Sequence, residues 1–261
     1  MSPISRLPSR TAALACAVAV IVALHGPAWA APSCTAQSSG SITPVVELYT
    51  SEGCNSCPPA DRWISSLKAE PGVVALAFHV DYWDRLGWKD RFASPTYTQR
   101  QSLQQASNGA RFSYTPQVVV DGLDRKDWFG LSAPPVTAAQ KAATVGLTLS
   151  RDGDRFSATV QALPAAKPAT APLRLAAYWA VTEQGHVTAV KAGENEGVTL
   201  KHDFVVREYR PVAAFEVAAD ATVPLQFSPS GAADPAHPRQ VNLVVLDATT
   251  GRPVQALKLG C

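Results

Sequence analysis

Two cysteines, Cys54 and Cys57, are separated by two residues, which is the spacing of many redox-active pairs. The apolar, β-branched run Val45–Thr50 precedes them, and Pro58 and Pro59 follow, as suits the first turn of a helix. Unpaired N–H groups and the dipole at a helix start stabilise a thiolate, so Cys54 is the expected nucleophile. Cys57 is placed to attack a mixed disulfide and release the substrate. The sequence therefore predicts thiol–disulfide exchange here, with a static disulfide as the alternative.

The same cysteines fit zinc or haem chemistry poorly. A zinc site needs four ligands, and the sequence has no second Cys-x-x-Cys and no His-x-x-x-His. Pro58 stands where c-type haem attachment requires histidine. His79, at a predicted strand end, could complete a Cu(I) site with the two thiolates, or could be a structural hydrogen-bonding group. Exchange itself requires no bound cofactor, because the electrons pass through the dithiol.

The segments around the cysteines alternate between strand and helix patterns, which predicts an α/β unit with a parallel crossover. Ser94 is a helix N-cap residue and Pro95 suits the first helical position. Asp121-Gly122 is a hairpin-turn signal. The predicted elements are, in chain order, strand Val45–Thr50, helix Ala60–Ala69, strand Val73–Val80, helix Pro95–Ser107 and strand Gln117–Val120.

The pattern changes after Thr144. Short strand-like runs follow, divided by turns rich in Pro, Gly and Asp at fairly regular spacing, which is typical of a β-sandwich. These runs are Val145–Ser150, Phe156–Leu163, Leu173–Thr182, Thr222–Phe227, Val241–Leu246 and Val254–Leu259.

The first thirty residues have the pattern of a secretory signal peptide. Arg6 and Arg10 precede an apolar run that is too short to span a bilayer, and Ala28-Trp29-Ala30 is a cleavage pattern. Removing this segment leaves 21 basic and 21 acidic residues. A balanced charge gives no reason to expect a nucleic acid or an anionic membrane surface as partner. We therefore expect an exported protein, periplasmic or secreted, with no membrane association after cleavage.

Cys34 and Cys261 lie near the two ends of the mature chain. Chain termini often lie close together, and export favours disulfides over free thiols. The sequence predicts a structural disulfide between them, with two free thiols as the alternative.

Four segments resemble a family of secreted bacterial proteins catalogued as Domain of Unknown Function 1223. The resemblance spans the mature chain and implies a thioredoxin-like fold, but it implies no assigned reaction. The segments that carry it are Val45–Asp61, Phe78–Asp90, Tyr114–Gly122, and Gly193-Glu194-Asn195 with Val205-Val206-Arg207.

Two further site residues follow from the resemblance to thioredoxins. Thr115-Pro116 is similar to their Thr-cis-Pro, which implies that Pro116 shapes the surface against which a substrate peptide lies. Glu47 lies on the strand before the motif, roughly where thioredoxins hold a buried acid, although the spacing to Cys54 is one residue longer. If buried behind Cys57, Glu47 could take the proton from that thiol. If exposed, it is a surface charge.

Together these patterns predict an α/β fold, a thioredoxin-like domain followed by a C-terminal β-sandwich. The predicted function is extracytoplasmic exchange with protein thiols or disulfides and an unidentified redox partner. A copper-handling protein and a non-catalytic binding protein, in which the Cys-x-x-Cys is only a staple, are the alternatives. The predicted segments are a signal peptide (1–30), an N-terminal arm (31–43), the thioredoxin-like domain (44–144) and the sandwich (145–261).

Overall fold

The computed structural model describes residues 34–130, 141–164 and 172–261, so the predicted signal peptide lies outside the described residues. Two α-helices occur within these ranges, α1 (Pro58–Ser66) and α2 (Pro95–Ser107), with short 3₁₀ turns at Leu67–Ala69, Asp84–Leu86 and Trp128–Gly130. The strands are β1 (Cys34–Gln37), β2 (Val45–Thr50), β3 (Val74–His79), β4 (Gln117–Val120), β5 (Leu123–Asp124), β6 (Val145–Asp152), β7 (Arg155–Ala162), β8 (Leu173–Glu183), β9 (His186–Ala189), β10 (Thr199–His202), β11 (Val205–Val217), β12 (Thr222–Phe227), β13 (Arg239–Asp247) and β14 (Pro253–Leu259).

The strand before the cysteines, β2, is buried along its whole length, as its apolar composition predicts. It pairs in parallel with β3 on one side and antiparallel with β4 on the other. Both faces of β2 are covered, because Val46 and Leu48 pack against α1 while Val45 and Tyr49 pack towards α2. Alternation along the strand therefore assigns each side chain of β2 to one of two separate environments.

A single sheet of eight strands joins the first half of the chain to the second. Its order is β14-β13-β8-β11-β3-β2-β4-β5. The junction is made by β11, which pairs in parallel with β3 at Val205 and Ala77 and antiparallel with β8 along most of its length. Strands from both predicted segments, 44–144 and 145–261, thus belong to one hydrogen-bonded layer.

The predicted fold class, an α/β thioredoxin-like domain followed by a C-terminal β-sandwich, is wrong. The described part of the chain is rich in β-structure, with sheets of eight, four and two strands and only two α-helices. The prediction failed because β11 was not recognised as a strand. Charged residues and Pro211 interrupt its apolar pattern, and Pro211 is tolerated because β3 pairs with β11 only near Val205.

Two covering layers share one face of the large sheet. On that face α1 packs over β2, β3 and β4, and a four-stranded sheet of order β1-β6-β7-β12 packs over β8 and β13. The core under the smaller sheet is centred on Trp179, which stacks on Phe227 at 5.3 Å between ring centroids. The opposite face is covered by α2.

Strands β9 and β10 form a two-stranded hairpin of their own. The hairpin packs against α1, with its base residues His186 and His202 paired in register. It thereby brings residues from the second half of the chain to the end of α1 that carries the two cysteines.

The two ends of the described chain are joined by a disulfide between Cys34 and Cys261, whose Cα atoms are 6.4 Å apart. Cys34 begins β1, so the predicted N-terminal arm in part becomes an edge strand of the smaller sheet. The two disulfides found among the described residues indicate an oxidising, extracytoplasmic environment. Among the described residues no helix has the length and apolar character needed to cross a membrane.

Candidate functional site

Cys54 and Cys57 form a disulfide at the start of α1, with their Cα atoms 5.4 Å apart. The turn Ser51–Gly53 leads from the buried end of β2 to Cys54, and Cys57 is the N-cap residue of the helix. The sequence predicted this placement. It did not predict that both cysteines are fully buried, with 0% of each residue exposed.

Two hydroxyl groups surround the sulfur of Cys54. Thr115 donates from Oγ1 to Cys54 Sγ at 3.3 Å, and Ser56 Oγ lies 3.3 Å from the same sulfur. Trp83 donates from its indole nitrogen to Thr115 Oγ1 at 2.8 Å, which leaves the hydroxyl hydrogen of Thr115 free for the sulfur. Pro116 directly follows Thr115, the residue that contacts Cys54, and the peptide bond between them is cis.

The segment Val190–Val198, between β9 and β10, contacts the backbone of the turn that carries Cys54. Asn195 donates from Nδ2 to the carbonyl oxygens of Glu52 (2.8 Å) and Cys54 (3.0 Å). The neighbouring Glu194 accepts a hydrogen bond from the backbone N–H of Asn55 at 3.2 Å. These contacts place a loop from the second half of the chain over the turn that holds the cysteines.

A buried group of charges lies behind the cysteines. Asp61 follows Cys57 by one helical turn and accepts a hydrogen bond from Thr50 Oγ1 at 3.2 Å. His202 lies between two carboxylates, with Nδ1 at 3.8 Å from Asp61 and Nε2 at 3.5 Å from Glu52. Burial alone would lower the pKa of His202, but the nearby carboxylates of Asp61 and Glu52 raise it to about 9. His202 is therefore a charged imidazolium at neutral pH.

A second buried pair extends this group. His79 Nδ1 lies 2.6 Å from Asp90 Oδ2, and the same oxygen accepts the backbone N–H of Glu52 at 2.9 Å. Burial would raise the pKa of Asp90, yet the charge and hydrogen bond of His79 hold it below its ordinary value. Glu52 behaves in the same way. Burial favours its neutral form, but the ion pair with His202 and the hydrogen bond from Trp88 lower its pKa.

His79 is thus held by a carboxylate and has the structural hydrogen-bonding role that was the alternative to copper binding. Within the described ranges, no group of three or more His, Cys, Asp or Glu residues is arranged to hold a metal ion. The set Cys54, Cys57 and His79 is therefore not brought together as a ligand set.

Glu47 is buried, but the structure does not bring it to Cys57. It points to the face of β2 opposite α1, where Arg100 forms an ion pair with its carboxylate. Tyr178 (2.5 Å), Tyr49 (2.8 Å) and Gln104 (3.1 Å) donate the remaining hydrogen bonds to this carboxylate. The placement does not support the predicted proton transfer from Cys57 to Glu47, and it makes Asp61 the buried acid on the cysteine side of the strand.

Comparison with known proteins supports the resemblance stated from the sequence. The profile of a family described as protein of unknown function, DUF1223, matches residues 45–245. The chain belongs to this family. A search of curated proteins found no significant match.

Two solved structures share the fold of this DUF1223 protein. The crystal structure of a protein from Agrobacterium tumefaciens, a structural genomics target, aligns with a TM-score of 0.63 and 23% identity, covering 85% of this chain and 96% of that one. HBP35 of Porphyromonas gingivalis aligns with a TM-score of 0.59 and 16% identity, covering 85% of this chain and 76% of that one. At these identities the likeness extends to the fold alone.

Sequence reasoning missed four residues of the site in this DUF1223 chain. Asp61 could have been found, because a residue four positions after Cys57 lies on the same helix face. Glu194 and Asn195 were noted only as part of a family segment, and His202 carried no local signal. All three contact the turn around Cys54, at Glu52 or Asn55, across more than 130 residues of chain.

Proposed function

We propose that the protein exchanges disulfides with protein thiols outside the cytoplasm, in the periplasm or after secretion, through Cys54 and Cys57. The observation that carries the proposal is the position of the Cys54–Cys57 bond at the N-terminus of α1, with two hydroxyl groups at the Cys54 sulfur. The helix dipole at that end favours a thiolate, and so do the hydroxyl donors. When Cys54 is attacked, Cys57 is the leaving thiolate, and its N-cap position lets the helix dipole stabilise it. The two hydroxyl groups instead stabilise the Cys54 thiolate of the reduced protein.

The exchange consists of two displacements. A substrate thiolate attacks Cys54 Sγ, a substrate–Cys54 bond forms, and the Cys54–Cys57 bond breaks with its electron pair passing to Cys57 as a thiolate. A second substrate thiolate then attacks the substrate sulfur of the mixed disulfide, which leaves the substrate oxidised and the protein as a dithiol. The same steps in reverse reduce a substrate disulfide, beginning with attack by the Cys54 thiolate.

Asp61 is the proton-exchanging group that we assign to Cys57. The two residues are one turn apart on the same face of α1, and both are buried. Beside Asp61, the His202 imidazolium offsets a negative charge that burial would otherwise disfavour. To Pro116, which adjoins the Thr115 that contacts Cys54, we assign the shaping of the surface beside that sulfur.

A redox titration of the purified protein in glutathione buffers tests the proposal. We expect a reversible two-electron transition at Cys54 and Cys57, read for each cysteine by alkylation and mass spectrometry. The Cys34–Cys261 bond serves as an internal reference in the same spectra. If the Cys54–Cys57 pair stays oxidised at every potential that glutathione buffers reach, the proposed exchange function fails.

The complete burial of the cysteines favours a second candidate, in which the disulfide only braces the turn between β2 and α1. In that case the bond would be reduced only when the protein unfolds, and reduction would track the urea unfolding transition. Reduction in the folded protein, well below that transition, would exclude this candidate.

A further inference from the structure

The segment Val190–Val198 is a preformed loop at the tip of the β9–β10 hairpin. Its ends are tied by hydrogen bonds from Val190 N to Val198 O (2.9 Å) and from Gly197 N to Val190 O (3.0 Å). Val198 N also bonds to Asn195 O at 3.0 Å inside the loop. The segment can therefore move as a unit on the hairpin without losing its own internal bonds.

Contacts from the loop to the cysteine turn are few and polar. Asn195 donates two hydrogen bonds, to the carbonyl oxygens of Glu52 and Cys54, and Glu194 accepts one from the N–H of Asn55. Most residues of the loop are exposed, including Val198 at 43%. Val190, at the start of the segment, is buried, and Gly193 lies against Trp88. The rest of the loop is held to the cysteine turn by three hydrogen bonds, so its opening costs little compared with global unfolding.

The hairpin base is fixed more firmly than its tip. His202 lies between Asp61 and Glu52 with 2% of its surface exposed, and β10 packs against α1. A fixed base with a lightly held tip allows the loop to move away while the hairpin stays in place.

We propose that the Val190–Val198 loop is a lid, held closed mainly by Asn195, which must open before an attacking thiolate reaches Cys54. The inference rests on the proposed exchange function and adds a control on access to it. In the closed state the disulfide is protected from thiols in solution, because both cysteines have no exposed surface. The exchange step itself is unchanged when the lid is open.

The rate of reduction by dithiothreitol measures opening of the lid. We expect Asn195→Ala to raise the pseudo-first-order rate of Cys54–Cys57 reduction about tenfold, since two hydrogen bonds of the closed state are lost. Glu194→Ala, which removes one exposed bond, should raise it roughly threefold. Glu196→Ala is the matched control, because Glu196 lies in the same turn and is exposed, and it should leave the rate unchanged. Equal rates for wild type, Asn195→Ala and Glu194→Ala would overturn the lid.

Two further measurements distinguish opening of the lid from other causes of faster reduction. The rate ratio should persist in urea concentrations below the unfolding transition, since local opening exposes little surface. A ratio that instead follows the change in global stability would also overturn the lid. The glutathione titration of each variant reports the exchange function separately. Faster reduction of the variants without a reversible glutathione transition would support the lid and reject the exchange function. A reversible transition with equal reduction rates in wild type and variants would support the exchange function and reject the lid.

Discussion

At the scale of single residues, strand alternation decides which acid lies on the cysteine side of β2. Glu47 and Thr50 lie on β2, yet Glu47 faces Arg100 while Thr50 donates to Asp61 beside the cysteines. The two faces of β2 are separated by the sheet itself. Glu47 thus has a structural role in an ion pair, and Asp61 with His202 forms an ion pair on the α1 side of the strand.

Replacing Glu47 by Gln should weaken folding without altering the redox pair. The change leaves the buried guanidinium of Arg100 without its countercharge, which typically costs about 3–5 kcal/mol in the free energy of unfolding. Urea unfolding would measure the loss. The midpoint potential of Cys54/Cys57 should stay within about 30 mV of wild type, a shift that corresponds to about a tenfold change in the exchange equilibrium.

Asp61→Asn is the matched comparison for Glu47→Gln. It removes a buried carboxylate of α1, which lies on the face of β2 opposite Glu47. We expect it to slow exchange at Cys57, since an amide cannot take up the thiol proton. A larger change in potential or exchange rate for Glu47→Gln than for Asp61→Asn would contradict the assignment of these two acids.

The pKa of His202 predicts a specific loss of stability at alkaline pH. Its value of about 9 in the folded protein lies above the ordinary value of 6.5, so the charged form stabilises the fold. This contribution is complete below pH 6.5 and is lost as the pH rises to 9, by up to about 3 kcal/mol. Urea unfolding at several values in this range would measure the decline, and His202→Gln should abolish this part of it. An unchanged decline in the variant would show that another group titrates.

At the scale of elements, local signals were reliable where the chain contains its own capping and turn residues. Helix α2 begins at Pro95 after Ser94, whose hydroxyl accepts the N–H of Thr96 at 3.3 Å, as predicted. The turn at Asp121-Gly122 joins β4 to β5, with both residues at positive φ. The β9–β10 hairpin was missed because its pairing depends on packing against α1 and its loop contains no short turn signal.

Gly122→Ala tests the turn between β4 and β5. Gly122 has φ of +78°, and a Cβ there would lie 3.2 Å from Arg252 Cγ. We expect a loss of about 1 kcal/mol or more in the free energy of unfolding, measured with urea. Gly72→Ala is the control, because its Cβ would meet nothing within 4 Å, and it should change stability by less than about 0.5 kcal/mol. Equal losses would contradict the conformational argument.

At the scale of the whole molecule, the disulfide Cys34–Cys261 joins the outer edges of the two large sheets. Cys34 begins β1, the edge of the four-stranded sheet, and Cys261 follows β14, the edge of the eight-stranded sheet. The bond spans 227 residues in sequence and closes most of the described chain into one loop. Its main effect is to restrict the unfolded chain, and it also holds the two edges together.

Removing this bond should destabilise the whole protein. On the chain-entropy model a loop of this length stabilises by about 5 kcal/mol. The double variant Cys34→Ser/Cys261→Ser, which leaves no unpaired thiol at this site, should lose a large part of that in urea unfolding without reductant. The Cys54–Cys57 bond should remain oxidised in the variant. Wild-type stability in the double variant would show that the terminal bond contributes nothing.

The sequence alone determined the features that depend on neighbouring residues. The Cys-x-x-Cys spacing with Pro58 and Pro59 predicted a cysteine pair at a helix start, and the apolar run of β2 predicted a buried strand. The family, the pairing of Cys34 with Cys261 and the extent of α2 also agree with the sequence-based predictions. Each of these depends on local backbone preferences, on the closeness of chain ends or on a recognisable family segment.

Only the tertiary structure decided the contacts made between distant parts of the chain. It merged two predicted domains into one eight-stranded layer through β11, whose edges pair with β3 and β8. It also placed Asn195 over Cys54 and His202 beside Asp61. Periodicity in a sequence reports which face of an element is apolar, but not which edge or loop it will meet. Pairing partners and buried charges are therefore set by the folded chain as a whole.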